Sequence, residues 1–72
     1  MSRWKNGKVK WFDYPSGWGV ICDRKGQEYD VHYSSIKSKK KIRSLNEDQP
    51  VKFKPIDDPD IKLVAEVKEN LL

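Results

Sequence analysis

Apolar residues recur with a period of two in five short runs, separated by residues that favour turns, which is the pattern of strands rather than helices. In residues 8–13 Val9 is the natural core residue. Strict alternation would turn Trp11 inward as well, so either Trp11 is core or the strand is bent. In residues 17–22 Trp18 and Val20 share one face, Gly19 and Ile21 the other. In residues 28–33 Tyr29, Val31 and Tyr33 have the core parity, which leaves Asp30 and His32 outward. Val51 and Phe53 alternate with Lys52 and Lys54 over residues 50–56, and Ile61, Leu63, Ala65 and Val67 share one parity over residues 61–67. Tyr14-Pro15-Ser16-Gly17 suits a type I turn, and Asp23-Arg24-Lys25-Gly26 repeats the chemistry with Asp first and Gly last. Ser34-Ser35-Ile36 predicts a short helical turn with Ile36 plugging one end. Five strands without a helical period imply an all-β, antiparallel barrel or sandwich; closing the sheet removes unpaired edges in a chain too short for two layers.

Length changes this picture little: 72 residues are read as one domain, 1–72, with a small core. No apolar run reaches the about 20 residues that span a bilayer, and no signal peptide is visible. One cysteine, Cys22, and one histidine give neither an internal disulfide nor a zinc site, so a reducing cytoplasm, no metal and no cofactor are expected. Charge changes it more. The net charge is +4, but residues 1–43 carry +7 and residues 44–72 carry −3. A basic front half and an acidic back half suggest one face for a polyanion and one for water.

The front half also holds the unusual chemistry. Around the first turn, Lys8 and Lys10 interleave with Trp11 and Phe12, and Trp18 lies between two glycines. Cations beside exposed rings suit single-stranded nucleic acid, whose bases stack and whose phosphates are anionic. Three Trp, three Tyr and two Phe are too many for so small a core. Trp4 either covers a barrel end or extends the binding face; residue type favours packing. Residues 37–49 are long for a connection and begin with five cations in seven residues, Lys37, Lys39, Lys40, Lys41 and Arg43, which serve either as a phosphate-binding loop or as a solvated one. Asp30, His32 and Ser34 superficially suggest a catalytic triad, but side chains two apart on a strand lie about 6.5 Å apart, and no oxyanion loop accompanies them. An enzyme is not expected.

These residues resemble a known family. Gly7-Lys8-Val9-Lys10-Trp11-Phe12 is similar to the opening G-x-V-K-W-F of bacterial cold-shock proteins. Ser16-Gly17-Trp18-Gly19-Val20-Ile21 resembles their first ribonucleoprotein motif, K-G-F-G-F-I, and Tyr29-Asp30-Val31-His32-Tyr33-Ser34 the second, V-F-V-H-F-S. Ser44-Leu45, Gln49 and the alternation from Val51 to Phe53 are similar to the segment S-L-x-E-G-Q-x-V-x-F. The resemblance implies a five-stranded OB-fold-type barrel whose aromatic face stacks bases of single-stranded DNA or RNA, with Trp11 on that face. It carries Lys10, Trp11, Phe12, Trp18, His32 and Tyr33 over to the nucleic-acid face. Three stacking positions depart: Val20 and Asp30 stand where phenylalanines are usual, and Ile42 replaces a loop phenylalanine. Asp48 replaces a glycine, a place where aspartate tolerates positive φ better than most residues.

The expected function is therefore single-stranded nucleic-acid binding by Lys8, Lys10, Trp11, Phe12, Trp18, Val20, Asp30, His32, Tyr33, Lys39, Lys40, Lys41 and Arg43. An RNA chaperone or transcriptional or translational regulator is implied, acting as a monomer with no membrane or small-molecule partner. The alternative is a protein-interaction module, an OB barrel with a weakened platform whose basic loop docks an acidic partner.

Overall fold

The computed structural model describes residues 4–36, 45–58 and 60–69. Its elements run β1 (Lys5–Asp13), β2 (Trp18–Asp23), β3 (Glu28–His32), a 3-10 turn (Tyr33–Ser35), β4 (Pro50–Pro55) and β5 (Val64–Glu69). The four strand ladders are antiparallel, in the order β3-β2-β1-β4-β5. Closure comes from short parallel bridges, Asp30 with Leu63 and Ile36 with Val67, the first secured by the Asp30 N–H donating to the Lys62 carbonyl at 2.9 Å. The result is the expected five-stranded barrel of OB type.

Two β-bulges decide which side chains face inward. Between β1 and β2 the register runs Val9 to Ile21 and then Trp11 to Val20, leaving Lys10 as the extra residue. A bulge puts two residues of one strand opposite one of the other, so parity reverses across it. Val9 therefore points into the core and Trp11 outward, which is the bent-strand alternative. The second bulge falls between Lys54 and Pro55, opposite Ala65, and here the alternation fails as a guide. Val64 and Val67 are buried, Ile61 is exposed, and β5 begins at Val64 rather than at residue 61.

The core gathers Val9, Ile21, Tyr29, Val31, Val51, Phe53, Val64 and Val67, with Ile36 and Leu45 closing on it. Ile36 follows the 3-10 turn and is buried, as expected of a plug. Trp4 is half-buried with the Lys68 ammonium 4.6 Å from its ring centroid. The hairpin loop is one residue wider than a type I turn at residues 14–17: the Gly17 N–H donates to Asp13 at 2.9 Å, with Gly17 at φ 78°. The turn at residues 23–26 closes as expected, the Gly26 N–H donating to the Asp23 carbonyl. Asp48 takes φ 64°, the positive value its position suggested.

Candidate nucleic-acid interface

The outer face of β1, β2 and β3 is built in rows fixed by the register. The row nearest the hairpin loop aligns Asp13, Trp18 and His32, and the next aligns Trp11, Val20 and Asp30. Past the Lys10 bulge a further outward row aligns Lys8, Cys22 and Glu28. Trp11, Trp18 and Tyr33 leave 46%, 45% and 47% of their surface exposed, close together on one face of a chain with a small core. Exposed clustered aromatics of this kind mark a binding surface.

Trp18, His32 and Tyr33 support one another. The His32 ring lies 4.6 Å from Trp18 and 4.5 Å from Tyr33, centroid to centroid, tilted by 56° and 45°. These are ordinary tilted aromatic contacts, and they hold three rings in place for a flat ligand. The His32 Nδ1 lies 2.9 Å from Ser34 Oγ and accepts from the Ser34 backbone N–H at 3.4 Å. That amide can only donate, so Nδ1 is the acceptor in that contact, whereas the closer contact with Ser34 Oγ suits either tautomer; Ser34 does not occupy Nε2. Ser34 is thus within reach of His32 although a pure strand would keep them apart; the 3-10 turn brings it back. No triad results, because Ser34 takes the nitrogen an orienting carboxylate would need, and Asp30 makes no hydrogen bond to the ring.

The other expected site residues differ in how far they reach this face. Phe12 falls in the inward row with Gly19 and buried Val31, and it packs partly buried against the core. Gly19 makes room for it: a Cβ there would lie 2.7 Å from Phe12 Cδ2 and 2.6 Å from the Trp11 carbonyl oxygen. Val20 does face outward, but it is only 8% exposed and stands apart from the core cluster. A valine between Trp11 and Asp30 forms the floor of the face and leaves little surface for a base to cover. Lys10 is exposed but forms an ion pair with Glu28, whose hydrogen bond and charge raise the ammonium pKa above its ordinary value. Lys8 is exposed and outward. Asp30 is outward and exposed, with no hydrogen bond or ion pair of its carboxylate among the described residues. Lys39, Lys40, Lys41, Arg43 and Ile42 lie outside the described residues.

Sequence reasoning passed over Glu28, whose signal was its outward parity opposite Cys22 on the same face as Lys8. It also took Tyr14 only as a turn residue, whereas it is 65% exposed in the hairpin loop between β1 and β2. A depression of about 340 Å³ lined by Gly7, Lys8, Cys22, Arg24 and Pro50 lies at the far end of β1 and β2, away from the rings. The aromatic face itself is open, which suits stacking rather than engulfing a ligand. Among the described residues there is no metal-binding cluster, and no helix is long and apolar enough to cross a membrane.

The profile of the 'Cold-shock' DNA-binding domain matches residues 5–67, a stretch that includes β1, β2 and β3. The chain belongs to the cold-shock domain family. Among its relatives, the Major cold shock protein CspA of Pseudomonas aeruginosa is 42% identical over 53 residues, covering 74% of this chain and 75% of the relative. The Cold shock-like protein CspG of Escherichia coli K12 is 41% identical over 54 residues, covering 74% and 76%. The Cold shock-like protein of Thermotoga maritima is 43% identical over 47 residues, covering 65% and 70%. The cold-shock fold is a nucleic-acid-binding fold, and the outer face of β1–β3 is where this member concentrates its exposed rings.

Proposed function

We propose that this cold-shock protein binds single-stranded RNA or DNA across the outer face of β1, β2 and β3, and that it competes there with secondary structure in the strand, as an RNA chaperone does. The observation that carries the reading is the pair of half-exposed tryptophans, Trp11 and Trp18, on one face of adjacent strands. Bases in a duplex are already stacked and paired, so these rings favour unpaired ones. Lys8 and the cations of residues 37–43 supply the phosphate contacts. No role is assigned to catalysis. Oligothymidine should quench tryptophan fluorescence strongly, and a blunt duplex of equal length far less. Equal affinity for the duplex would remove stacking as the basis of binding.

Two observations favour the second reading, a protein-interaction module. Val20 and Asp30 interrupt the aromatic surface, and Glu28 occupies Lys10. The ion pair gives a direct test. Glu28→Gln removes the carboxylate that competes with phosphate for Lys10, so oligothymidine should bind more tightly at low salt. One added phosphate contact should steepen the log–log salt slope by about 0.7. An unchanged slope means that Lys10 is not a phosphate contact even when released.

A further inference from the structure

We propose that Asp30 makes this face discriminate among bases, selecting guanine over thymine or uracil at the stacking position beside Trp11. The inference rests on the nucleic-acid reading above and names the ligand preference of the same site. Asp30 ends the row that begins at Trp11 and crosses Val20. Strands lie about 4.8 Å apart, so its backbone stands about 10 Å from that of Trp11. A base stacked on Trp11 and lying over the low floor at Val20 would bring an edge to the carboxylate. The backbone of Asp30 is fixed on both sides, paired to Val20 in β2 and bonded to Lys62 at the barrel closure. The carboxylate is thus exposed, without a protein partner among the described residues, and mounted on a rigid element.

An ionised carboxylate only accepts hydrogen bonds. Guanine presents N1–H and the N2 amine side by side on its Watson–Crick edge, two parallel donors that match the two carboxylate oxygens. Cytosine and adenine each offer one exocyclic amine beside a ring nitrogen that is itself an acceptor, giving one bond and one repulsion. Thymine and uracil flank their single N3–H with two carbonyl oxygens, which the carboxylate repels. Those edges are free only in a single strand. A bidentate contact is worth roughly fivefold to a hundredfold in discrimination. Because this site is open to water, the lower part of that range applies, about fivefold to thirtyfold. The same carboxylate lowers affinity for oligothymidine, because it offers no stacking surface and the thymine carbonyls oppose the one bond it could accept from N3–H.

The test measures dissociation constants for thymidine heptamers carrying one guanine at each position in turn, against oligothymidine, at matched salt and pH. The parent, Asp30→Asn and Asp30→Phe are compared, with circular dichroism confirming that each folds. The parent should prefer one guanine register about fivefold or more. Hypoxanthine in that register, which lacks the N2 amine, should lose much of the gain. Asp30→Asn, which offers one acceptor and one donor, should lose the preference, and Asp30→Phe should lose it while binding oligothymidine more tightly than the parent. A guanine preference that survives in both variants, or its absence in a parent that binds oligothymidine, overturns the assignment. Failure of every oligonucleotide to bind overturns the nucleic-acid reading itself.

Discussion

Trp18→Ala and Trp11→Ala should each weaken oligothymidine binding about fivefold to a hundredfold, the 1–3 kcal/mol that one base–aromatic stack is worth. Nearly half of each ring is open to solvent, so most of what truncation removes is ligand contact rather than core. Trp18 carries an added consequence. Its ring is one of the two walls holding His32, the other being Tyr33. Removing it frees the imidazole to turn about its bond to Ser34, so Trp18→Ala should cost more than Trp11→Ala. Trp18→Phe keeps a stacking surface and a neighbour for His32, and should retain most of the affinity. The assay is a titration read by quenching of the remaining tryptophans, with urea melts to show that the variants stay folded. If both alanine variants fold and bind like the parent, the nucleic acid lies on another surface.

How much of this was legible in the sequence depended on where the bulges fell. Strands β1, β3 and β4 were readable because Val9, Tyr29, Val31, Val51 and Phe53 alternate with polar residues or proline, and each is buried; in β2 the pattern gave two faces without choosing between Val20 and Ile21 for the core. In β1 the pattern alone could not choose an orientation for Trp11, because a single inserted residue, Lys10, reverses parity without leaving a compositional mark. The family resemblance chose correctly. In β5 nothing compensated, and the parity set containing Ile61 and Leu63 was taken for core while Val64 was missed. Side-chain pairing was less legible still. The contact between Lys10 and Glu28 joins residues eighteen apart in sequence, and it exists because the bulge aims Lys10 across β2 toward β3. Phe12 illustrates the opposite limit. Its motif suggests a ring on the ligand face, but the same reversal of parity that exposes Trp11 turns the next residue inward, over Gly19.

The largest expected effect on stability is at Phe53. Its side chain is fully buried, its ring lies 5.1 Å from that of Tyr29, and it packs where β1 passes across β4. That crossing is close because Gly7 has no side chain: a Cβ there would lie 2.9 Å from Phe53 Cε1 and 2.4 Å from the Cys22 carbonyl oxygen. The cavity left by Phe53→Ala is bounded by strand backbone on that side, which cannot move in without breaking the pairing of Gly7 with Asp23 and Val51. Truncation of a buried phenylalanine costs about 3–5 kcal/mol. At about 0.05–0.15 kcal/mol per residue, a domain of this size has roughly 4–11 kcal/mol in all. Phe53→Ala should therefore remove at least about a quarter of the total stability and lower the urea midpoint in proportion. Phe53→Leu refills part of the space and should fall between the two. Because β1 carries Trp11, unfolding at this point also dissolves the ligand face, and binding by the alanine variant should recover as stabilising osmolyte is added. An unfolding free energy within about 1 kcal/mol of the parent's would mean that the barrel can close around the missing ring, and that the contact between Gly7 and Phe53 does not fix the spacing of β1 and β4.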